Sequence, residues 1–232
     1  MTKSGSKPMT KRQIGIIFHG IGEPSRTLEP GEAPYWITVA AFDALLDRIK
    51  AHPEPDRFRL SFDDGNLSDH DIALPRLIAR GLRADFFVLS GRIGQPGSLD
   101  AARIIALQAA GMTIGSHGIA HRNWSRLDAA TLTAEVTQSR AVLQTLCGQP
   151  VDTVGIPFGG YDAKVLAALR RAGYRAAYSS DRGWMDPDAF LRPRTSVTGA
   201  MDEAAVKALL EGRLTPLARL RRGLAMARKR LI

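Results

Sequence analysis

The chain has 232 residues, of which 44% are hydrophobic and 24% are charged, so we predict one globular domain with a sizeable core. The net charge of +9 comes from the two ends, because residues 1–12 hold four basic residues, residues 213–232 hold seven, and neither segment holds an acidic residue. The segment between them, 13–212, has 21 basic and 23 acidic residues, which argues against the basic face of a domain that binds nucleic acid.

The two ends are predicted to be separate from the domain at 13–212. Residues 1–12 are interpreted as a disordered basic leader. Residues 213–232 interleave leucines with basic residues, a pattern typical of an amphipathic helix on an anionic membrane surface, although a solvated or packed terminal helix fits equally well. The single cysteine, Cys147, excludes an internal disulfide, and no segment has the apolar length of a signal peptide or a membrane span. We therefore expect a cytoplasmic protein, either free or attached to the inner face of the membrane.

Strand-like and helix-like segments alternate through the domain. Apolar or β-rich runs predict strands at 13–18, 57–62, 84–89, 112–115, 151–156, 174–178 and 190–197. Helical spacing and capping residues predict helices that begin at Thr38, Ser68, Ser98, Asp128, Asp162 and about residue 202. The second of these helices should end at Gly81 and have a kink at Pro75.

This alternation predicts a mainly parallel sheet covered by helices. A barrel and a doubly wound sheet both satisfy the right-handed crossover rule. No glycine-rich phosphate loop follows the first strand, which counts against a dinucleotide-binding sheet. About 200 residues are also few for eight complete repeats of a barrel. We therefore predict an α/β fold, a distorted and incomplete (β/α) barrel of about seven parallel strands.

Chemically active side chains follow the predicted strands repeatedly, at the point where each strand ends. They are His19, the pair Asp63 and Asp64, the pair His117 and His121, the segment PFGG at 157–160, and the segment SSD at 179–181. The carboxyl ends of parallel strands open onto one face of such a fold, where active sites form. This convergence predicts an enzyme.

The adjacent acids Asp63 and Asp64 need a partner, because neighbouring carboxylates repel each other unless a cation or a proton intervenes. His117 and His121 are four residues apart, which on a helical turn places both imidazoles on one side. Two histidines and one carboxylate form a common catalytic zinc set, although iron, cobalt or nickel would also bind. Two surface histidines would explain the spacing as well. The acids lack the spacing of a calcium loop or of a glycosidase pair.

Four segments in this order, SFDDG, SHGIAH, GIPFGGYD and RPRTSV, resemble the motif series of the polysaccharide deacetylases, carbohydrate esterase family 4. The resemblance covers roughly residues 14–197. The segments FHG and PYWITVAAFDALLDRI also resemble the branch associated with exopolysaccharide and lipid-linked glycan pathways. Membership implies a distorted (β/α) barrel that removes an N-acetyl group from an amino sugar in a polysaccharide, an oligosaccharide or a lipid-linked glycan, with a metal ion as cofactor.

The resemblance also implies roles for individual residues. Asp64, His117 and His121 would hold one divalent transition metal, with zinc expected, and Asp63 would be the general base. The expected substrate and oxyanion contacts are Phe158, Gly159, Tyr161, Trp184 and Arg194.

Two positions depart from the family pattern. Gly155 stands where the third motif usually has the arginine that orients the base, and RPRTSV lacks the histidine that usually serves as general acid. Arg192 or Arg194 is expected to replace the arginine, and His19 the acid. Two hypotheses follow. The first is a working deacetylase or a related C–N amide hydrolase, and the second is a catalytically weak relative that binds glycan or metal and acts as a scaffold at the membrane surface. Retention of Asp63 beside all three ligands favours the enzyme.

Overall fold

The computed structural model describes residues 11–214 together with Arg219, Leu220, Gly223, Leu224, Met226 and Lys229. Most of the predicted basic leader and most of the predicted tail therefore lie outside the described residues. Among the helices described, none combines the length and the apolar character needed to cross a membrane.

The described residues contain eleven strands, several of them only two or three residues long. Their bounds are β1 (Gln13–Phe18), β2 (Gly20–Ile21), β3 (Trp36–Ile37), β4 (Phe58–Phe62), β5 (Ala84–Val88), β6 (Thr113–Ser116), β7 (Thr153–Gly155), β8 (Ala176–Ser179), β9 (Trp184–Met185), β10 (Leu191–Pro193) and β11 (Thr195–Ser196).

Eight of these strands lie side by side in the order β10-β8-β7-β6-β5-β4-β1-β11. Every neighbouring pair along this order is parallel. The strands at the two ends of the order, β10 and β11, are separated in the chain by Arg194 alone, so the sheet curls round until it nearly closes. The predicted incomplete barrel is confirmed, and the predicted strand at 190–197 is these two short segments.

Six α-helices cover the outside of the barrel within the described residues. They are α1 (Val39–Lys50), α2 (Leu74–Arg80), α3 (Ala101–Ala109), α4 (Ala129–Cys147), α5 (Ala163–Arg171) and α6 (Glu203–Leu210). Thr38, Asp128 and Asp162 cap their helices as predicted, each accepting a hydrogen bond from the backbone three residues later. The third helix was predicted to begin at Ser98, but Asp100 is its cap, because Ser98 instead forms a β-bridge with Asn66.

Near Pro75, where a kink was predicted, the helix changes type. A π-helical turn (Asp69–Ala73) leads into α2, and Pro75 lies in the first turn of α2. Proline lacks the N–H that would bond to the preceding turn, and the wider π-helical turn precedes it at this position. Gly81 ends α2 with a φ of 62°, a conformation that glycine adopts without steric cost.

Two apolar clusters hold the barrel together. The larger lies between the sheet and the helices, where Phe62 stacks on Phe86 with ring centroids 4.6 Å apart. The smaller lies inside the barrel and contains Phe87 and Tyr178. Glycines make room there: a Cβ on Gly115 would lie 2.5 Å from the ring of Phe87. The barrel interior is therefore narrow, and few large side chains inside it can extend towards the carboxyl ends of the strands.

Candidate active site

A cavity of about 350 Å³ opens at the carboxyl ends of the barrel strands. Its lining includes the predicted residues that follow five different strands: His19, Asp63, Asp64, His117, His121, Phe158, Gly159 and Ser180. The expectation that the chemically active side chains converge on one face is confirmed. The position agrees with the rule that ligands of parallel α/β folds bind at the carboxyl ends of the strands.

A local turn in the chain allows both adjacent acids to line this cavity. On a regular strand two successive side chains point to opposite faces. Directly after β4, however, Asp64 has a φ of 77° and Gly65 a φ of 70°, so the chain leaves strand geometry at this point. Asp63 and Asp64 are 4% and 2% exposed. The site thus buries two carboxylates next to each other.

The ligand atoms of Asp64, His117 and His121 lie within 4.8 Å of one another. Asp64 Oδ1 is 3.4 Å from Nε2 of each histidine. Four ligands bound tetrahedrally at zinc distances of about 2.1 Å would be separated by about 3.4 Å. Asp64 Oδ1 is buried and has no hydrogen-bond partner among the described residues. The three side chains fit a divalent transition metal, while their chemistry leaves the identity of the metal open.

The second nitrogen of each histidine is also engaged in a way that suits a metal ligand. His117 Nδ1 donates to the carbonyl oxygen of Gly155 over 2.9 Å, and His121 Nδ1 donates to Glu29 Oε2 over 2.6 Å. A carbonyl and a carboxylate can only accept, so Nδ1 carries the proton of each neutral imidazole, and Nε2 is the nitrogen that offers a lone pair to a metal. Both lone pairs are therefore available on the side of Asp64.

The pKa values of Asp63, Asp64 and His117 are shifted by the charged groups that lie close together at this site. Burial alone would raise the pKa of Asp63, but the Arg194 guanidinium and His117 outweigh it and hold the pKa below its usual value. Burial likewise acts to raise the pKa of Asp64, and the two histidines hold it far below the usual range. His117 has a raised pKa because the charges of Asp63 and Asp64 outweigh its burial. Both carboxylates remain ionised, and the pocket favours a cation.

Arg194 lies against Asp63 inside the barrel. Its two terminal nitrogens donate to the two oxygens of Asp63 over 2.7 and 2.9 Å, and one of them also donates to Ser61 Oγ over 2.7 Å. The Arg194 side chain is 1% exposed, and a Cβ on Gly15 would lie 2.7 Å from its Cγ. Arg194 therefore occupies the position expected for a residue that orients Asp63. It does not line the cavity as a substrate contact.

Gly155 explains why the arginine comes from another strand. A Cβ at this position would lie 2.9 Å from Nδ1 of His117 and 3.0 Å from the ring of Phe87. The alternative candidate, Arg192, donates instead to the Ala189 carbonyl and to the Tyr178 hydroxyl. Arg194, between β10 and β11, thus provides the positive charge that β7 lacks at Gly155.

His19, Phe158 and Gly159 lie in the cavity wall as expected. The His19 ring contacts Tyr35 at 4.8 Å, and burial lowers the pKa of His19 against the opposing charges of Asp64 and Asp63. Phe158 is 61% exposed and stacks on His121 at 4.2 Å. The Gly159 N–H already donates to the Ile156 carbonyl. Of the two backbone groups expected to hold an oxyanion, that of Phe158 is therefore the better candidate.

Tyr161 and Trp184 are not part of the cavity wall. Tyr161 is buried and donates its hydroxyl to Asp181 Oδ2 over 2.6 Å. Trp184 pairs with Ile14 near the amino end of β1, the opposite end of the barrel from His19. The reason lies in Arg182 and Gly183, whose φ values of 64° and 87° turn the chain back so that β9 runs antiparallel to β1.

Three residues near the site, Glu29, Asp69 and Lys229, were not anticipated from the sequence. Glu29 contacts His121 from a loop without periodicity, so no local signal indicated it. Asp69 is completely buried, and burial together with the charges of Asp64 and Asp63 raises its pKa well above the usual value. Lys229, in the predicted tail, donates to Asp181 Oδ1 over 2.7 Å and lies over the Tyr161 ring at 4.6 Å. At that position the tail packs against the barrel.

Comparison with known proteins extends this description. The family model of the polysaccharide deacetylases matches residues 50–177, more than half of the chain. YxkH of Bacillus subtilis, a protein assigned to the polysaccharide deacetylases, is 25% identical over 188 residues, which are 80% of this chain and 64% of YxkH. A chitin deacetylase of Pestalotiopsis is 30% identical over 126 residues, 54% of this chain and 42% of that enzyme. The chain thus spans less than two thirds of the length of either relative.

Solved structures show the same fold at lower identity. The deacetylase PplD of Streptococcus pyogenes, determined in complex with acetate, matches with a TM-score of 0.73 and 19% identity over 88% of this chain and 99% of PplD. A de-N-acetylase of Aggregatibacter actinomycetemcomitans matches with a TM-score of 0.71 and 13% identity over 86% of this chain and 100% of that chain. From the family match, with the fold and the motif residues in agreement, the chain belongs to the polysaccharide deacetylase family, carbohydrate esterase family 4.

Proposed function

We propose that this protein is a metal-dependent hydrolase that removes the N-acetyl group from an amino sugar in a polysaccharide, an oligosaccharide or a lipid-linked glycan. The observation that carries the proposal is the cavity in which Asp64, His117 and His121 meet beside Asp63. Membership of the deacetylase family supports the reaction type. A cavity of about 350 Å³ lies within the size range of sites for small ligands, and such a site would receive one N-acetylated sugar unit.

In this proposal Asp64, His117 and His121 hold one divalent transition metal, with zinc expected. When bound, such an ion lowers the pKa of a coordinated water molecule and polarises the acetyl carbonyl.

Asp63 takes the proton of the attacking water as general base. The bidentate contact with Arg194 holds the carboxylate in one orientation and leaves lone pairs on both oxygens free for a further hydrogen bond. Asp63 lines the cavity whereas Arg194 does not. Arg194 therefore acts through Asp63 and does not contact the substrate.

The remaining roles concern the leaving group and the sugar. The departing amine must be protonated as the C–N bond breaks, and an imidazole suits this task at neutral pH. His19 lines the cavity. Burial lowers the pKa of its ring, so in this role the neutral ring would take up a proton within the site before donating it to the amine. The backbone N–H of Phe158 would stabilise the oxyanion, and the exposed ring of Phe158 would contact the sugar.

The second hypothesis, a scaffold that binds glycan without efficient catalysis, rests on the two departures from the motif pattern. Arg194 compensates for Gly155, since it pairs with Asp63 through two hydrogen bonds. Only the general acid then lacks its usual residue. A binding protein has no need for a buried base beside a complete ligand set, so we favour the enzyme.

We expect His117→Ala to remove most of the bound metal, because one of three protein ligands is lost. The measurement is elemental analysis of the purified protein after loading with zinc and removal of free metal. His70→Ala is the matched control, since His70 contacts Asp71 and lies outside the cavity. Unchanged zinc stoichiometry in His117→Ala would contradict the ligand assignment.

Asp63→Asn should still fold, but with lower stability, because the buried Arg194 charge loses its charged partner. The variant should retain the zinc and lower kcat by roughly 10²–10⁴-fold, because proton abstraction is lost. Acetate release from a series of N-acetylglucosamine oligosaccharides measures this effect. Asp47→Asn, which alters an exposed ion pair with Arg80, is the control. Near-normal turnover in Asp63→Asn would remove the base assignment. No acetate release by the zinc-loaded, unaltered protein on any substrate would favour the scaffold.

His19→Gln should retain zinc and slow hydrolysis of an N-acetyl amide far more than hydrolysis of an activated aryl ester. The ester leaving group departs without a proton, whereas the amine does not. Parallel kcat/KM measurements on an N-acetylated oligosaccharide and on an aryl acetate test this. Equal losses on the two substrates would mean that His19 does not act as the acid.

Arg194→Met should lower the free energy of unfolding by about 3–5 kcal/mol, because it leaves the buried Asp63 charge without its partner. Urea unfolding of Arg194→Met, Asp63→Asn and the double variant measures the coupling between the two side chains. Arg192→Met serves as the control, since Arg192 contacts neutral groups. Additive effects of the two substitutions would show that the pair is not coupled.

A further inference from the structure

We propose that Glu29 is a positioning residue for His121, and that it joins the loop of residues 22–35 to the metal site so that metal binding and loop closure are coupled. The inference rests on the proposed metal site. It adds a residue from outside the motif segments and assigns a role to the loop that forms one wall of the cavity.

The contact between Glu29 and His121 has the geometry of a carboxylate that orients a metal ligand. His121 Nδ1 donates to Glu29 Oε2 over 2.6 Å, which leaves Nε2 available on the side of Asp64. The other carboxylate oxygen of Glu29 accepts a hydrogen bond from the Arg92 guanidinium. A carboxylate in this position fixes the ring of a ligating histidine and makes its free nitrogen a stronger donor to the metal. The corresponding nitrogen of His117, Nδ1, has a neutral carbonyl as its partner.

His121 depends on such a contact more than His117 does. His117 directly follows β6, and its backbone N–H donates to the Val88 carbonyl over 2.8 Å. His121 lies in irregular chain with a φ of 47°, outside any strand or helix that would set its direction. The contacts that the structure shows for its ring are those with Glu29, Phe158, His117 and Asp64. Among them, Glu29 is the partner that engages Nδ1.

The loop that carries Glu29 is itself cross-linked. Glu29 N–H donates to Glu32 Oε2 over 2.8 Å, and Glu32 N–H donates to the Glu29 carbonyl over 3.1 Å. Glu32 also accepts from Arg26 and from Trp36 Nε1. Arg26 donates to Asn66 Oδ1 over 2.9 Å, which attaches the loop to the segment that follows Asp63 and Asp64. Glu29 is therefore presented to His121 by a loop of defined conformation.

The same loop encloses the site, because Glu29, Glu32 and Tyr35 all line the cavity. A metal ion on Nε2 withdraws electrons from the imidazole and strengthens the hydrogen bond from Nδ1 to the carboxylate. Metal binding should then stabilise the closed loop, and by thermodynamic reciprocity the closed loop should raise metal affinity by the same factor.

The test compares the unaltered protein with Glu29→Gln and Glu29→Ala. Each protein is stripped of metal with a chelator, and zinc affinity is measured by competition with a chromophoric chelator. We expect Glu29→Ala to weaken zinc binding by roughly 10–100-fold. Glu29→Gln should have a smaller effect, since its amide oxygen can still accept from Nδ1. Glu54→Gln is the matched control, because Glu54 forms an exposed ion pair with Lys11 away from the cavity.

Amide hydrogen exchange of the loop, residues 22–35, supplies a second measurement. Zinc should slow exchange in the unaltered protein and in Glu54→Gln, and should slow it much less in Glu29→Ala. A purely structural role for Glu29 would instead change exchange equally with and without zinc, and would overturn the coupling. Normal zinc affinity in both Glu29 variants, with zinc lost in His117→Ala, would overturn the positioning role and leave the proposed function intact. Failure of the unaltered protein to bind zinc would overturn both.

Discussion

Two carboxylates, Asp63 and Asp64, are buried side by side at the end of β4, and their negative charge must be compensated where water is scarce. Arg194 compensates the first through two hydrogen bonds, and the two histidines approach the second at 3.4 Å. The two acids thus acquire different partners although they are neighbours in the chain. One is directed towards a fixed guanidinium and the other towards a position suited to a metal ion.

The break in the last strand of the barrel places the Arg194 guanidinium beside Asp63. Arg194 interrupts the last strand between β10 and β11, so a residue that would otherwise belong to a regular strand extends into the interior. Gly15 leaves space for its side chain, and the rings of Phe87 and Tyr178 lie 4.8 and 5.5 Å from its guanidinium. The incomplete closure of the barrel and the orientation of Asp63 therefore have a common origin. Gly155 stands where the family motif usually has an arginine. The positive charge beside Asp63 comes instead from Arg194, between β10 and β11.

Backbone strain is concentrated at the site. Four non-glycine residues in the described chain have a positive φ, and three of them, Asp64, His121 and Phe158, line the cavity. Such conformations cost roughly 1–3 kcal/mol each and persist where the surrounding contacts over-determine them. Here those contacts are the histidine interactions of Asp64, the Glu29 contact of His121 and the stacking of Phe158 on His121. The pocket walls thus hold one another in place, and the loop that carries Glu29 belongs to this arrangement.

The features that depend on neighbouring residues could be predicted from the sequence. Thr38, Asp128 and Asp162 begin helices because their side chains accept hydrogen bonds three residues along, a purely local interaction. The mainly parallel sheet and the convergence of Asp63, Asp64, His117 and His121 follow from alternation and from the rule for parallel strands. Motif similarity added the expected roles of these four residues.

Other features required the tertiary structure, because they join residues far apart in the chain. Arg194 and Asp63 are 131 residues apart, and Glu29 and His121 are 92 residues apart. No periodicity or cap links such pairs, so the sequence left Arg192 and Arg194 as alternatives and did not indicate Glu29. Trp184 shows the converse, because it was expected to contact the substrate while a turn at Arg182 and Gly183 places it at the other end of β1. Local chemistry determined the elements, the motif segments indicated the candidate ligands, and the closure of the barrel decided which charges face each other.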